Sequence, residues 1–248
     1  MTATTYLERR GELETYFDRT AVDAWARLTS DAPLGRIRAT VRAGRDEMRN
    51  TLLAWLPANM RGARLLDAGC GTGALAVEAA RRGADVVAID LSRTLVDLAR
   101  ARQPHDLGAG RIEFRAGDML DPALGEFDFV VCMDSLIHYR AHDAVKVLGG
   151  LAPRVAGAML FTFAPSNPAL SVFHAVGKIF PRGDRAPAIV PVAPQALYRQ
   201  LAREPALLGW RTARTQRIAS GFYTSQALEL VKSSHHPSSQ SGPAAFPG

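Results

Sequence analysis

The sequence predicts an α/β domain built on a doubly wound, mostly parallel sheet. From residue 64 onward, short apolar segments rich in β-branched residues alternate with helical segments. The first apolar segment, Arg64–Ala68, runs into a glycine-rich turn, and the second, Asp85–Ile89, ends at an acid. Strands that alternate with helices form βαβ units, so a parallel sheet is expected.

The elements before this sheet are predicted to be helices. Apolar side chains recur every three or four positions in residues 13–28 and again in residues 37–56, which is the helical period. Residues 1–60 are therefore interpreted as an N-terminal helical arm or cap, and residues 61–232 as the sheet domain. The tail, residues 233–248, is rich in Ser, Pro, His and Gly and is expected to be disordered.

The remaining elements follow in chain order. The patterns predict helices and strands at Ala74–Arg82, Ser92–Arg102, Ile112–Arg115, Phe127–Met133, Ala158–Phe163 and Gln195–Arg203. The last two apolar segments, Leu207–Thr215 and Ile218–Leu230, are expected to form an antiparallel terminal pair. Residues 164–194 contain six prolines around a short apolar helix, Leu170–Phe180, and are interpreted as a lid insertion over the edge of the sheet where ligands bind.

Composition narrows the class of protein. No apolar run reaches the roughly 18 residues that cross a bilayer, and the first ten residues lack the apolar core of a secretory signal. A cytoplasmic protein is expected, with peripheral membrane association as an alternative. Cys70 and Cys132 are the two cysteines and neither has a CxxC partner, which excludes a cysteine-rich zinc site and a disulfide framework. No metal site is predicted.

The net charge of +6 is concentrated in one segment. Residues 172–218 hold eight Lys and Arg but two acids, while the rest of the chain is balanced. This segment is either a surface for an anionic partner or a solvated basic face.

The glycine-rich turn carries the most specific signal. Asp67 stands two residues before the first glycine of a GxGxG pattern that ends at Gly73, and Asp90 ends the next strand. Glycines allow close approach of a ligand, and an acid at Asp90 can accept hydrogen bonds from ribose hydroxyls. A carboxylate at Asp67 would repel a pyrophosphate but suits the ammonium and sulfonium of S-adenosylmethionine.

Later strand ends supply further candidates, among them Asp118 beside the adenine and Asp134 after the fourth strand. The predicted cofactor-binding residues are Asp67, Gly69, Cys70, Gly71, Thr72, Gly73, Asp90, Leu91, Ser92, Asp118, Met119, Asp134 and Ser135. Acids and glycines at successive strand ends predict an S-adenosylmethionine site.

These residues resemble the Rossmann-like fold of class I methyltransferases, whose first motif is acid-x-Gly-x-Gly-x-Gly. The flanking segments are similar to magnesium-protoporphyrin IX methyltransferases at Tyr16–Thr20 with Trp25, Val131–Tyr139, Phe163–Pro165, Gly177–Arg182 and Gly221–Ser225. This resemblance implies methyl esterification of one porphyrin propionate on the route to chlorophyll or bacteriochlorophyll. It also makes a magnesium chelatase a candidate partner.

The resemblance and the residue chemistry together predict the substrate side of the site. Tyr16 on the arm and His138 after the fourth strand are the predicted catalytic residues, with His142 as a second candidate. His138 either orients the propionate or ligates the substrate's magnesium. The predicted substrate-binding residues in the lid are Lys178, Arg182 and Arg185 for the carboxylates, and Phe173 and Phe180 for the porphyrin plate.

Three alternatives are distinguishable. A class I enzyme that methylates a small apolar acceptor, such as a quinone-pathway phenol, would share the cofactor residues. A nucleic-acid methyltransferase is disfavoured for two reasons. Residues 134–137 lack the prolines typical of enzymes that methylate the amino groups of bases. The basic segment also lacks aromatic residues at regular intervals, on which bases could stack. A non-catalytic tetrapyrrole carrier is disfavoured by the complete cofactor loop.

Overall fold

The computed structural model describes residues 6–19, 36–166 and 189–233. Within them, seven strands form one sheet in the order β3-β2-β1-β4-β5-β7-β6. The strands are β1 Arg64–Ala68, β2 Asp85–Asp90, β3 Arg111–Ala116, β4 Phe127–Cys132, β5 Val155–Phe163, β6 Trp210–Ser220 and β7 Tyr223–Lys232. The first five are parallel, and β7 runs antiparallel to both β5 and β6. The doubly wound sheet with an antiparallel terminal pair is therefore confirmed.

Helices cover both faces of the sheet. They are α1 Tyr6–Arg19, α2 Arg36–Trp55, α3 Ala74–Arg81, α4 Arg93–Arg102, α5 Ala141–Leu151 and α6 Pro194–Arg203. Apolar residues of α2, α3 and α4 form one buried cluster with the sheet, and those of α5 and α6 form a second. The central strands are buried on both faces, which explains why they are almost continuously apolar.

Helix α2 packs closely on the terminal strand pair although it precedes the first strand by sequence. A Cβ on Gly44 would lie 2.5 Å from Cδ1 of Tyr223, and one on Gly221 would lie 2.5 Å from Oγ1 of Thr40. Both glycines are therefore needed for this approach, which buries Met48 in the core. Of the predicted arm, residues 36–55 thus pack directly on the sheet.

Two elements differ from the sequence prediction. Helix α5, which lies between β4 and β5, was not predicted from the sequence. The turn of the terminal pair was predicted between Thr215 and Ile218, which is wrong, because Ser220 pairs with Tyr223 and the turn lies at Gly221, with φ 56°. Strand β6 is an edge strand whose exposed, polar centre interrupts the apolar pattern from which the strands were predicted.

The predicted lid helix and the tail beyond residue 233 lie outside the described residues. No helix in the described ranges is long and apolar enough to cross a membrane.

Candidate active site

A cavity of about 810 Å³ opens at the carboxyl ends of β1, β2 and β4. This is the edge at which the chain switches from adding strands on one side of β1 to adding them on the other, the usual ligand site of doubly wound folds. The glycine loop, Asp90, the turn after β4 and one face of α2 line the cavity. No cluster of potential metal ligands occurs among the residues described by the structure.

The three glycines of the loop all have positive φ, at 87° for Gly69, 53° for Gly71 and 78° for Gly73. A Cβ on Gly69 would lie 2.3 Å from Cβ of Ser135, and one on Gly73 would lie 2.8 Å from the Phe114 ring. A Cβ on Gly71 would meet nothing within 4 Å, so this glycine faces open space. The loop is thus pressed against the sheet at both ends and presents bare backbone to a ligand in the middle.

Asp90 is anchored by backbone donors on both sides. Its Oδ2 accepts a hydrogen bond from Gly71 N at 2.8 Å, and its Oδ1 accepts one from Ser92 N at 3.0 Å. Burial raises the pKa of Asp90, and these two N–H groups oppose that rise. Each carboxylate oxygen retains a further lone pair, so Asp90 can accept the two hydroxyls of a ribose.

Asp67 is a buried acid at the end of β1. It is 2% exposed, and its Oδ2 has no hydrogen-bond partner among the described residues. Burial, followed by the charge of Asp90, raises the pKa of Asp67 from 3.8 to about 7, against a lowering by the Ala76 backbone. A cation bound in the cavity, such as an ammonium group, would return Asp67 to its ionised form.

Helix α1 lies across this edge and uses several predicted residues as its anchors. Tyr6 donates to Asp118 Oδ1 at 2.9 Å, and Arg10 Nη1 lies 2.7 Å from Asp118 Oδ2. The Tyr6 ring also stacks on Tyr139, with 5.5 Å between ring centroids. The Asp118 carboxylate therefore binds α1 in this structure. Its predicted contact with adenine stays a prediction. Its neighbour Met119 lines the cavity.

Asp134 is the centre of a buried polar network. It adopts φ 54°, a left-handed conformation that is uncommon outside glycine. Its carboxylate accepts hydrogen bonds from Arg45 Nη1 at 2.8 Å and from the Tyr223 hydroxyl at 3.1 Å, and Thr162 Oγ1 lies 3.2 Å away. These bonds hold the turn after β4, which carries the cavity-lining residues Asp134, Ser135 and His138.

The predicted catalytic residues differ in their position relative to the cavity. His138 ends a short 3-10 helix and lines the cavity, and its backbone carbonyl accepts a hydrogen bond from Arg9 Nε at 3.1 Å. Tyr16 is half-buried on α1 and is not among the cavity-lining residues. His142 is exposed on α5 and does not line the cavity. The role of Tyr16 in the reaction stays a prediction.

The predicted substrate-binding residues Lys178, Arg182, Arg185, Phe173 and Phe180 lie outside the described residues. The basic residues of the same segment that are described, from Arg199 to Arg217, do not line the cavity. Strand β6 instead uses Arg214 in an ion pair with Glu229.

A set of arginines on α2 was not predicted from the sequence. Arg42, Arg45 and Arg49 line the cavity and follow one another at steps of three and four residues. That spacing is visible in the sequence, but which face of α2 meets the cavity is decided by the packing of Gly44 on Tyr223.

Comparison with known proteins identifies the family. A family model described as the magnesium-protoporphyrin IX methyltransferase C-terminus matches residues 132–232, and a methyltransferase domain model matches residues 65–155. The magnesium-protoporphyrin O-methyltransferase of Rhodobacter capsulatus is 49% identical over 225 residues, which cover 90% of this chain and 97% of that relative. The chain belongs to the magnesium-protoporphyrin O-methyltransferase family.

Other relatives agree with this family assignment. The crystal structure of magnesium protoporphyrin IX methyltransferase from Synechocystis PCC 6803 with bound SAH is 29% identical, with a TM-score of 0.78 and coverage of 90% of this chain and 99% of that one. The ubiquinone biosynthesis O-methyltransferase of Bordetella avium is 31% identical, but over 60% of this chain and 66% of that relative. The predicted family and the class I methyltransferase fold are confirmed.

Proposed function

We propose that the protein transfers a methyl group from S-adenosylmethionine to one propionate carboxylate of magnesium protoporphyrin IX, which gives the monomethyl ester in chlorophyll or bacteriochlorophyll synthesis. The observation that carries this proposal is the likeness to the Rhodobacter capsulatus enzyme over 97% of that relative. The protein is an O-methyltransferase, and S-adenosylmethionine is its methyl donor.

The cavity fits this methyl donor at two points. S-adenosylmethionine supplies a methyl group on a positively charged sulfur. Asp90 is held by Gly71 and Ser92 beside the bare backbone of the glycine loop, which supports its proposed role as acceptor for the ribose hydroxyls. Asp67 offers a buried carboxylate oxygen without a described partner, which suits the ammonium end. A dinucleotide fits less well, because its pyrophosphate would meet the charge of Asp67.

The acceptor chemistry requires little proton transfer. A propionate is ionised at pH 7, so its oxygen is already a nucleophile and no general base is needed. The residues of the chain then contribute by holding the carboxylate in line and by excluding water. A phenol acceptor would differ here, since its hydroxyl is protonated at pH 7 and needs a base to remove the proton.

Helix α1 supplies the cover over the reacting groups. It contacts three parts of the edge, through Tyr6 to Asp118, Arg9 to the carbonyl of His138, and Asp18 to Ser92. A cover fixed at three points around one cavity supports the proposal that α1 shields the reaction from water.

His138 is proposed to orient the propionate. It lines the cavity on the same turn as Ser135, and an imidazole N–H can donate to one carboxylate oxygen while the other attacks. Tyr16 is proposed to aim the same carboxylate. The lid residues proposed to bind the porphyrin are Lys178, Arg182, Arg185, Phe173 and Phe180.

A product analysis tests the function. The purified protein is incubated with S-adenosylmethionine and magnesium protoporphyrin IX, and the porphyrin is analysed by mass spectrometry for the gain of one methyl group. The expected product is a monomethyl ester. Methylation of a quinone-pathway catechol in a parallel incubation, with none of the porphyrin, would contradict the proposal.

Contact with a magnesium chelatase and peripheral membrane association are finer proposals. The edge strand β6 supports the membrane proposal, because it exposes Arg211 and Arg217 and leads to Phe222, which is 62% exposed at the hairpin tip. Sedimentation with anionic phospholipid vesicles tests the membrane proposal. Loss of cosedimentation in Phe222→Ser is expected, whereas a wild-type protein that stays in the supernatant would contradict it.

A further inference from the structure

The turn after β4, residues 133–138, joins the glycine loop to the His138 side of the cavity. Ser135 presses on the loop, since a Cβ on Gly69 would lie 2.3 Å from Cβ of Ser135. Three residues later, His138 lines the cavity from a short 3-10 helix. The conformation of this one turn therefore sets how far the histidine lies from the loop that is proposed to hold the methyl donor.

Asp134 has the conformation on which this turn depends. Within the described ranges it is the one non-glycine residue with a positive φ, at 54°. A backbone conformation of this kind costs free energy and persists only where the surrounding contacts enforce it. The contacts that enforce it here come from outside the turn, on strands β5 and β7 and on helix α2.

Thr162 on β5 fixes both the backbone and the side chain of Asp134. Its Oγ1 accepts a hydrogen bond from Asp134 N at 2.7 Å and lies 3.2 Å from Asp134 Oδ1, to which it donates. Thr162 is 0% exposed, which keeps bulk water from competing for either bond. One hydroxyl thus closes a ring with the amide and the carboxylate of the same residue and restrains the rotation of both.

Tyr223, the first residue of β7, binds the same carboxylate although it does not line the cavity. Its hydroxyl donates to Asp134 and lies 3.1 Å from Oδ1 and 3.3 Å from Oδ2. Burial and then the charge of Asp134 raise the pKa of Tyr223, which keeps the hydroxyl protonated as a donor. The ring packs against Gly44 of α2, where a Cβ would lie 2.5 Å from Cδ1, so the hydroxyl has a fixed position.

We propose that Tyr223 and Thr162 are positioning residues for methyl transfer, which act through Asp134 on the turn that carries His138. The inference rests on the proposed function, in which His138 orients the acceptor carboxylate. Neither hydroxyl belongs to a residue that lines the cavity, so each acts by holding the turn in its strained conformation. Transfer requires the attacking oxygen in line with the methyl–sulfur bond. A small displacement of His138 should therefore lower the rate far more than the affinity.

The test removes each hydroxyl singly from the full chain, by Tyr223→Phe and Thr162→Val. Tyr223→Phe keeps the buried ring and leaves Arg45 paired with Asp134, so this variant is expected to fold. Thr162→Ser retains the hydroxyl and should restore most of the rate that is lost in Thr162→Val. Tyr198→Phe is the matched control, because Tyr198 is partly buried on α6 and does not line the cavity.

Single-turnover rates of methyl transfer to magnesium protoporphyrin IX are measured at saturating concentrations of both ligands. The rates are expressed per folded protein, with the folded fraction taken from urea unfolding, which removes any loss that comes from instability alone. Tyr223→Phe and Thr162→Val should slow transfer about tenfold or more, on the scale of a misplaced reacting group. Their affinities for S-adenosylhomocysteine and for magnesium protoporphyrin IX should stay within about twofold of the wild type, because neither hydroxyl is placed to contact a ligand.

A signal from His138 itself gives a readout that does not depend on activity. Protein isotopically labelled at the histidine rings shows the His138 resonance by NMR, and its absence from His138→Ala identifies it. In Tyr223→Phe and Thr162→Val this resonance should shift or broaden. In Thr162→Ser and Tyr198→Phe it should keep its wild-type position.

Two results would overturn the inference. One is a wild-type rate or a wild-type His138 resonance in both folded variants, and the other is a loss of rate that the folded fraction or the affinity fully explains. Failure of the proposed function would look different, since the wild-type protein itself would then transfer no methyl group to magnesium protoporphyrin IX. A wild type that transfers the methyl group, with variants that equal it, removes only the positioning roles of Tyr223 and Thr162.

Discussion

The Ser92 hydroxyl donates a hydrogen bond to Asp18 Oδ1 at 2.6 Å and accepts one from Leu95 N at 3.2 Å. One buried side chain therefore caps α4 and fastens α1 at the same time. Ser92 also donates its backbone N–H to Asp90, the proposed ribose acceptor. The attachment of α1 and the proposed ribose acceptor thus share one turn, so the anchoring of α1 and the binding of the methyl donor are predicted to be energetically coupled.

Asp18→Ala is expected to release the end of α1. The substitution removes the bonds from Ser92 Oγ and Thr94 N, and such bonds contribute about 1 kcal/mol each. Limited trypsin digestion should cut at Arg9, Arg10 or Arg19 on the order of ten times faster than in the wild type, by mass analysis of the fragments. Added S-adenosylhomocysteine should slow cutting of the wild type more than cutting of the variant.

Glu14→Ala is the control for this experiment, because Glu14 is exposed on the same helix. Its digestion rate should match the wild type. Equal rates for Asp18→Ala and Glu14→Ala would show that the contact with Ser92 does not hold α1.

Asp90→Asn is expected to weaken binding of S-adenosylhomocysteine by about 1.5–3 kcal/mol, the cost of losing hydrogen bonds to a charged acceptor. Isothermal calorimetry measures the change. Asp85→Asn is the matched control, since Asp85 starts the same strand, β2, and pairs with Arg111 away from the cavity. Unchanged affinity in Asp90→Asn would remove Asp90 from the donor site.

Asp67 gives the protein a predicted pH dependence. Burial raises its folded-state pKa from 3.8 to about 7, so the folded protein holds a proton that the unfolded chain releases between these values. This contribution to stability is fully present below about pH 3.8 and is lost as the pH rises through about 7. The free energy of unfolding, measured with urea relative to Asp67→Asn, should therefore fall over this range.

The same residue should couple ligand binding to proton release. An ammonium group favours ionised Asp67, so S-adenosylhomocysteine should bind more tightly as the pH rises to about 7. Calorimetric enthalpies in two buffers of different ionisation enthalpy report the released proton. A wild-type protein with the same proton release as Asp67→Asn would show that the ligand does not act on this carboxylate.

The sequence predicts the glycine-rich turn and its place at the edge of the sheet because the residues involved are close together in the chain. Asp67 and the three glycines lie within seven residues, and their turn is fixed by chain geometry, as the positive φ of each glycine confirms. Asp90 ends the adjacent strand, and the order of strands places it beside the loop. The positions of these residues at the cavity could be predicted from spacing alone, and their binding of the methyl donor stays a prediction.

The rest depends on contacts between distant residues. The bond between Tyr6 and Asp118 joins positions separated by 112 residues, and no pattern in either segment indicates it. The α2 arginines show helical spacing, but the glycine contact that turns them toward the cavity involves Tyr223 at the far end of the chain. The turn at Gly221 was displaced in the prediction because the exposed edge strand has a polar centre, where the apolar pattern that marks the other strands is interrupted.

His138→Ala separates three roles for the imidazole. If His138 orients the propionate, as we propose, single-turnover rates should fall with both magnesium and metal-free protoporphyrin, while binding of each changes little. If His138 ligates the substrate's magnesium, the substitution should weaken binding of magnesium protoporphyrin and leave binding of metal-free protoporphyrin unchanged. If His138 serves only in packing, the substitution should lower the stability of the protein, and both rates should fall in proportion to the amount of folded protein. His142→Ala, at an exposed histidine nearby, is the control, and wild-type rates in a folded His138→Ala protein would contradict the orienting role.

The most direct measurement follows a labelled methyl group from S-adenosylmethionine into the porphyrin. The account predicts transfer of one label to magnesium protoporphyrin IX, none to its dimethyl ester, and release of the label as methanol on mild alkaline hydrolysis, because the product is a carboxylic ester. Label that resists alkali, or that enters the dimethyl ester, would place the methyl group on carbon or nitrogen and contradict propionate methylation.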